Sequence, residues 1–274
     1  MTDQPVSVQP YLCHRAPGPI VIDGRLDEEA WRLAPRSPRF VDVIGGTPAL
    51  YETRAAALWD DQYLYIGFWL EEPCVRAELT ERDSLIFLEN DVEVFIDGGD
   101  CYYEFEINAR NTVYEVFFIW RDAYTRGGRF DVPEFDVLSR HAVTFGGNHD
   151  RSGAYFWRGS HPRGLRWAFL DWDLPGLRTA VHVDGVLNDC VTPHRGWTVE
   201  LAFPWAGMAW LAGGRPLPPR DGDEWRIFFG RYQQLQLNGG TVGVGWAWTP
   251  IGSNDNHVPE RFTPVRFSMA PAGA

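Results

Sequence analysis

Polar and hydrophobic residues alternate along much of this chain, most regularly between residues 83 and 111. Two alternating runs there are joined by the sequence Asp97-Gly98-Gly99-Asp100. One set of alternate positions holds Val92, Val94, Ile96, Tyr103, Phe105 and Ile107, and the other holds Glu93, Phe95, Asp97, Tyr102, Glu104, Glu106 and Asn108. Strict alternation is typical of a half-buried strand, and paired glycines beside aspartates are typical of a tight turn. The stretch therefore predicts a β-hairpin with one apolar and one polar face.

The polar face of this hairpin has two interpretations. Carboxylates, an amide and aromatic rings are the groups that a sugar-binding surface needs, because polar groups bond hydroxyls and flat rings pack on sugar rings. An ordinary antiparallel sheet, however, also presents one polar face to solvent. The hairpin alone leaves both interpretations open.

Further alternating runs predict roughly ten strands in all. They cover residues 53–59, 63–70, 112–120, 179–188, 196–203, 225–232, 243–248 and 262–267. A short helix is predicted after the acidic residues 27–29, with Trp31 packing inward, and a second one at 206–211. Many strands, frequent turn signals and few helices favour an all-β fold, namely an antiparallel, jelly-roll-like β-sandwich with one or two short helices.

The distribution of prolines, glycines and periodic segments predicts one large domain. Residues 1–19 are polar and proline-rich, which predicts an N-terminal lead-in, and residues 269–274 are predicted to form a tail. The single domain would then cover residues 20–268. Within it, residues 121–178 show weak periodicity and many Arg, Gly, His and aromatic residues, so we expect a long loop-rich insertion. Such an insertion could carry function or only cover a sheet edge.

Composition and charge narrow the class of ligand. Aromatic residues make up 15% of the 274 residues, which suits β-structure and supplies flat apolar surfaces. The formal net charge is −12, and a negative field repels nucleic-acid phosphates and anionic lipids. We therefore expect no nucleic-acid partner and no membrane partner. A neutral ligand fits this composition best, whereas the oligomeric state cannot be predicted from it.

The cysteines and the N-terminal sequence give limited information on the cellular compartment of the protein. The four cysteines, Cys13, Cys74, Cys101 and Cys190, show no metal-binding spacing, and their pairing cannot be deduced from the sequence. No signal peptide is visible, and no apolar run is long enough to span a membrane. The sequence as given predicts a cytoplasmic protein. If an export signal has been removed, the protein would instead be extracellular or periplasmic.

Catalytic motifs are absent from the sequence, although one catalytic arrangement stays possible. The histidines form no HExxH or HxH spacing, the serines lie in no GxSxG elbow, and no phosphate-binding loop occurs. Glu93, Glu104 and Glu106, however, lie on neighbouring predicted strands. Their carboxylates could reach the separation of about 5–9.5 Å that a glycosidase uses. A glycoside hydrolase is therefore the alternative to a binding protein.

Aspartate pairs in two predicted turns are candidate calcium ligands. Asp60 with Asp61, and Asp97 with Asp100, offer carboxylate oxygens of the kind that Ca²⁺ prefers. Aspartates are also common turn-forming residues, so a purely structural role explains them as well. No other cofactor is predicted.

Several segments occur in the same order as in the family 9 carbohydrate-binding modules. They are VIDGRLDEEAW, LWDDQYLYIGF, NDVEVFID, YYEFEIN, GWTVELAFPW and PERFTPVRF. The chain most resembles the free-standing family 9-like proteins of bacteria, with which it also shares the DWDLPGLRTAV and GVLN segments. The resemblance covers about residues 20–268. It implies a β-sandwich that binds sugars and is associated with xylanases and other enzymes that degrade plant polysaccharides, and it implies bound calcium.

The resemblance also implies polar ligand-binding residues. Glu93 matches the glutamate that bonds ligand hydroxyls, and Asn108 matches an asparagine with the same role. The family arginine two positions before this asparagine is replaced by Glu106, a reversal of charge. Arg110 could supply the missing guanidinium from the adjacent turn, or form a surface salt bridge instead.

The aromatic part of the implied site departs from the family pattern. Phe87 replaces one of the two tryptophans that enclose the sugar ring, and the second falls near Asn256 and His257. A substitute ring could come from Trp246, Trp248, Tyr155, Trp157 or Trp172. The predicted ligand-binding residues are therefore Glu93, Asn108, Phe87, Glu106, Arg110, Trp248 and His257. Binding at the reducing end of a chain, which the resemblance implies, does not follow for a site changed in this way.

Three functions follow from these observations. The first is non-catalytic binding of oligosaccharides derived from plant polysaccharides, such as xylan or glucan fragments. The second is a hydrolase that acts on glycosides with paired carboxylates on the same sheet face. The third is a structural or interaction domain that has lost its ligand site.

Overall fold

The computed structural model describes residues 9–148, 161–192, 195–237 and 239–274, and these residues form fourteen strands and two short helices. The strands are β1 (Tyr11–Arg15), β2 (Val41–Asp42), β3 (Thr53–Trp59), β4 (Tyr63–Glu71), β5 (Asp91–Asp97), β6 (Cys101–Asn108), β7 (Val113–Trp120), β8 (Ala142–Phe145), β9 (Arg166–Phe169), β10 (Arg178–Asp184), β11 (Gly196–Pro204), β12 (Glu224–Leu237), β13 (Gly240–Ala247) and β14 (Thr263–Pro271). The helices are α1 (Glu29–Leu33) and α2 (Ala209–Ala212). Both helices lie close to the predicted positions.

The strands pair in one continuous path that folds back on itself. Its order is β10-β11-β4-β3-β1-β14-β12-β5-β6-β7-β9-β8, and β13 pairs with both β12 and β2. Pairing is antiparallel except at β1, which runs parallel to β3 and β14. The two halves of the path pack face to face, since the rings of Phe105 and Phe203 lie 5.4 Å apart. The predicted all-β sandwich is confirmed, with one strand that makes its sheet mixed.

The central hairpin forms as its alternation predicts. Glu93 lies opposite Glu106, and Val94 lies opposite Phe105. Val94 and Phe105 are fully buried in the core between the two halves of the sandwich. Because side chains alternate between the faces of a strand, Glu93 and Glu106 point away from that core. The polar face therefore lies on the outer side of β5 and β6.

Strands extend beyond the predicted domain boundaries at both ends. Residues 11–15, assigned to a lead-in, form β1 between β3 and β14, and the Tyr11 hydroxyl donates to the Ala57 carbonyl. At the other end β14 continues to Pro271, inside the predicted tail. A strand of only five residues next to Pro10 is too short to show clear alternation. Its pairing partners also lie far away in the sequence, so no neighbouring strand or turn points to it.

The insertion predicted at 121–178 contains two strands. Within its described residues, β9 pairs with β7 and β8 pairs with β9, so the segment extends the sheet by two strands. Phe135 and Trp172 from this segment pack in the main core on the ring of Phe117. The segment is thus partly core, and only its remainder forms loops. Weak alternation in strands of four residues explains why the sequence did not reveal them.

A buried glutamate holds the VIDGRLDEEAW segment against the sheet. Glu200, on the outer face of β11, accepts hydrogen bonds from the backbone N–H groups of Asp23 and Gly24 at 2.9 Å. It also accepts one from the Trp31 indole at 2.7 Å. Gly24 has φ +86°, and a Cβ there would lie 2.7 Å from the Val181 carbonyl carbon. The segment is therefore fastened to the sheet by one carboxylate and one close backbone contact.

The structure also settles the cysteine pairing. Cys74, after β4, forms a disulfide with Cys190, after β10, whereas Cys13 and Cys101 are buried free thiols. The bridge joins positions 116 residues apart in the chain. In the described part of the chain, no helix has the length and apolar character needed to cross a membrane.

Candidate functional site

A cavity of about 490 Å³ lies on the outer face of β5, β6 and β7. Its lining combines acidic, amide and aromatic side chains. The lining residues are Phe87, Glu93, Glu104, Glu106, Tyr114, Phe118, Val143, Thr144, Phe145, Asn148, Ala168, Leu170, Tyr232, Asn256 and His257. The volume lies within the range of about 300–1,000 Å³ that is usual for small-molecule sites.

The floor of the cavity follows from strand register. Glu93 on β5 pairs with Glu106 on β6, which in turn pairs with Tyr114 on β7. Directly opposite residues of neighbouring strands share a face, so these three side chains line up across the sheet. On the other side of Glu93 the paired residue is Gly230 of β12, which has no side chain to cover the carboxylate.

The loop between β13 and β14 places an amide and an imidazole over this floor. Asn256 donates from Nδ2 to Oε2 of Glu93 at 2.7 Å, and its Oδ1 accepts from Asn148 Nδ2 at 2.9 Å. His257 Nδ1 lies 3.1 Å from the Tyr102 hydroxyl. Its Nε2 lies 4.0 Å from a carboxylate oxygen of Glu104. The orientations of both side chains are therefore fixed by protein partners.

A buried arginine holds this loop in place. Arg166 on β9 donates to the His257 carbonyl at 2.6 Å and to the Gly146 carbonyl at 3.0 Å. Its guanidinium lies 4.3 Å from the centre of the Trp120 ring. Arg166 thereby ties β9 of the insertion to the loop that carries Asn256 and His257.

Carboxylates crowd the floor, and this changes their protonation. Burial first, and repulsion from neighbouring carboxylates second, raise the pKa of Glu93 and of Glu106 well above the usual value. Burial raises the pKa of Asp91, next to them, in the same way, and Glu104 and Glu89 add to it. A raised pKa of a carboxyl group means that its neutral form, which can donate a hydrogen bond, is favoured.

Aromatic rings form one wall of the cavity. Phe87 is half-buried, and its ring makes an edge contact with Tyr114 at 5.8 Å. Phe118 and Phe145 continue this wall with a ring separation of 5.2 Å. The site therefore has a polar floor and an apolar wall, which is the combination that sugar rings require.

The structure brings four of the predicted ligand-binding residues to the cavity. Glu93 and Glu106 lie on the floor, Phe87 lies in the wall, and His257 lies in the loop above. Their contact with a ligand remains a prediction.

Asn108 and Arg110 do not reach the cavity. Asn108 is fully buried; its Nδ2 donates to the Leu79 carbonyl and to Glu89, and its Oδ1 accepts from the backbone of Arg110 and Thr112. Arg110 donates from Nε to the Ala77 carbonyl at 2.7 Å. Both residues hold the segment before β5 against the β6–β7 turn. Polar side chains next to turns are readily captured by backbone groups, and the amide that bonds to Glu93 is that of Asn256 instead.

The candidate substitute tryptophans are core residues. Trp248 packs on Tyr11 at 4.7 Å and on Phe229 at 4.8 Å. Trp246 and Trp172 belong to the same buried core. The other two candidates, Tyr155 and Trp157, lie outside the described residues. The wall is instead supplied by the rings of Tyr114, Phe118 and Phe145, which the sequence analysis did not single out.

The predicted calcium ligands Asp60 and Asp61 have turn and surface contacts. Asp60 Oδ1 accepts from the backbone of Gln62 and Tyr63, and its Oδ2 accepts from the Tyr65 hydroxyl. Asp61 is exposed and pairs with Arg15 at 2.9 Å. These contacts fit the alternative, structural interpretation of the pair.

Besides these rings, two further lining residues and one supporting residue were not predicted as site residues from the sequence. Asn256 and Tyr232 line the cavity, and Arg166 supports it. Tyr232 follows from the alternation of β12, since it lies opposite Asp91 in the register. Asn256 and Arg166 lie in segments without periodicity, so only the tertiary fold brings them to the site.

Comparison with solved structures identifies the architecture. A family 9 carbohydrate-binding module from Caldicellulosiruptor kristjanssonii, solved in complex with cellotriose, superposes with a TM-score of 0.52 at 12% identity, covering 95% of this chain and 94% of that one. The chain has the fold of the family 9 carbohydrate-binding modules. A second structure of a family 9 module from that organism, in complex with glucose, has a TM-score of 0.50 at 12% identity over 94% of this chain and 96% of that one.

The same family 9-like fold also occurs in a Bacteroides protein. A proposed carbohydrate-binding protein from Bacteroides uniformis superposes with a TM-score of 0.56 at 15% identity, covering 96% of this chain and all of that one, 100%. No protein-family model and no curated protein sequence matches the chain. At these low identities the similarity confirms the fold.

Proposed function

We propose that this protein binds carbohydrate without cleaving it, and that the cavity on β5, β6 and β7 is the binding site. The observation that carries the proposal is the register that sets Glu93 and Glu106 side by side, next to a wall of aromatic rings. The similar modules solved with cellotriose and with glucose support it. Short fragments of glucan or xylan are the proposed ligands.

The floor of the cavity can form hydrogen bonds with two neighbouring hydroxyl groups of a sugar. A carboxylate accepts hydrogen bonds, and a carboxyl group with a raised pKa can also donate one, so Glu93 and Glu106 together match hydroxyls that both donate and accept. Each such bond adds about 0.5–1.5 kcal/mol, since it replaces a bond to water. An acidic floor also disfavours anionic ligands.

The wall supplies the remaining affinity. Phe87 is the half-buried ring of this wall, and it can cover the apolar face of a pyranose. A site of this kind is expected to bind in the micromolar to millimolar range, about −8 to −4 kcal/mol.

Calorimetric titration with cello- and xylo-oligosaccharides tests this function. We expect saturable binding by the wild type and a loss of about tenfold in affinity for Phe87→Ala, because a buried ring face is worth roughly 1–2 kcal/mol. Leu88→Ala is the matched control: Leu88 is the next residue, is 64% exposed and does not line the cavity. If no oligosaccharide binds at millimolar concentration, or if both variants bind like the wild type, the proposal is wrong.

A glycoside hydrolase is the second candidate, and one observation favours it. Glu93 and Glu106 lie side by side on adjacent strands at the floor of the cavity, and burial raises the pKa of both, as a general acid requires. Hydrolysis of nitrophenyl glycosides by the wild type, abolished in Glu106→Gln, would support catalysis. Binding without turnover would support the first candidate.

A further inference from the structure

The floor of the cavity continues into a group of three buried carboxylates, Asp91, Glu93 and Glu106, which we call the carboxylate cluster. One oxygen from each residue lies within 4.8 Å of the others. The three residues are between 0% and 3% exposed. They occupy neighbouring strands in fixed register, so their mutual distance does not depend on a flexible loop.

Three oxygens of the cluster lack the hydrogen bonds that buried carboxylates normally have. They are both carboxylate oxygens of Asp91 and Oε2 of Glu106, whereas Oε2 of Glu93 accepts from Asn256. The backbone N–H of Tyr232 is near enough to Asp91 to lower the pKa of its carboxyl group, but its geometry is not that of a hydrogen bond. A buried polar group without a partner is destabilising by about 1–3 kcal/mol, and more if it is charged. Such atoms in a native protein point to a missing partner.

The electrostatic surroundings make a cation the fitting partner. The charged groups that act most strongly on the cluster are themselves acidic: Glu104 acts on all three carboxylates, and Glu89 acts on Asp91. Crowding of like charges is relieved either by protons or by a bound cation. A divalent ion can therefore take the place of the protons that otherwise relieve this crowding.

We propose that Asp91, Glu93 and Glu106 bind a calcium ion at the floor of the cavity. All three ligands are oxygens, which Ca²⁺ prefers, whereas Zn²⁺ favours nitrogen and sulfur. Two oxygens bound to one Ca²⁺ can lie at most about 4.6–5.2 Å apart, twice the usual bond length of 2.3–2.6 Å, and the three cluster oxygens, all within 4.8 Å of one another, satisfy this limit. Mg²⁺ has shorter bonds of about 2.0–2.1 Å and loses its bound water reluctantly, so we expect it to bind the cluster more weakly.

The proposed ion would keep free coordination positions on the side of the cavity. Ca²⁺ takes about 6–8 oxygens, and three carboxylates fill only part of that shell. The cluster borders the cavity, because Glu93 and Glu106 are both among its lining residues. Water would complete the shell. The inference concerns ion binding alone and stands whether or not the cavity binds sugar.

Calcium titration of the chelator-treated protein tests the proposal. By calorimetry we expect saturable binding of Ca²⁺ with a dissociation constant below about 1 mM, weaker binding of Mg²⁺, and a higher unfolding temperature in calcium. In Asp91→Asn and in Glu106→Gln the affinity should fall by about tenfold or more, because each loses a charged ligand. Asp61→Asn, which removes an exposed carboxylate elsewhere, should bind like the wild type.

Stability without calcium separates lost binding from misfolding. Asp91→Asn replaces a buried carboxyl group among acidic neighbours with a neutral side chain of similar size, so in chelator it should unfold at the same temperature as the wild type or higher. A wild type that neither binds Ca²⁺ nor gains stability from it at millimolar concentration would show that protons alone neutralise the cluster. Equal calcium affinity in Asp91→Asn and the wild type would also overturn the proposal.

Discussion

At the scale of single residues, the cavity depends on a glycine as much as on its acids. Gly230 lies opposite Glu93, and a Cβ at this position would come within 2.4 Å of the Phe228 ring. A larger residue would therefore displace a packed ring next to the floor. Alternation along β12 predicts that position 230 shares a face with Glu93. Only the packing of the Phe228 ring shows that this position requires glycine.

Gly230→Ala should lower the free energy of unfolding by about 1–3 kcal/mol, since it overpacks a buried contact. It should also weaken oligosaccharide binding, because the added Cβ would lie 3.5 Å from Oε2 of Glu93. Denaturant unfolding and calorimetry measure the two effects. Gly243→Ala is the control: its nearest neighbour, Gln234, lies at 3.4 Å, so its stability should change by less than about 1 kcal/mol. Equal effects of the two substitutions would contradict this account.

At the scale of elements, the sequence predicted what alternation alone determines. The strands β3, β5 and β6 begin and end close to the predicted positions, and Glu93 and Glu106 lie on the predicted face. Short strands such as β1 and β8 were missed, because distant partners rather than local pattern specify them. For the same reason the amide of the site, Asn256, lies in a loop that carries no periodic signal.

Glu200→Gln should destabilise the segment that carries Trp31. An amide nitrogen would face donors that now bond to a carboxylate, so the free energy of unfolding should fall by about 2–3 kcal/mol. Denaturant unfolding measures the loss. Oligosaccharide affinity should stay unchanged, since Glu200 lies on β11, outside the cavity. Asp184→Asn, at an exposed pair 3.8 Å from Arg195, should change stability by less than about 1 kcal/mol. A large loss of sugar affinity in Glu200→Gln would be inconsistent with a structural role.

At the scale of the whole molecule, the two outer faces of the sandwich have different roles. The outer face of β3, β4 and β11 is covered by the N-terminal segment around Trp31, which packs there in its own apolar cluster. The outer face of β5, β6 and β7 is covered only in part, so the cavity stays between the sheet, β8 and the loop that carries Asn256. Packing of the N-terminal segment accounts for the buried Glu200 on the first face, and the proposed binding site accounts for the buried carboxylates on the second.

A crystal structure of the protein grown with cellotriose tests the location of binding most directly. The account predicts sugar density in the cavity, with hydroxyls within hydrogen-bond distance of Glu93 or Glu106 and a ring face on Phe87. Sugar bound on another face of the sandwich, with the cavity holding only water, would contradict the central claim.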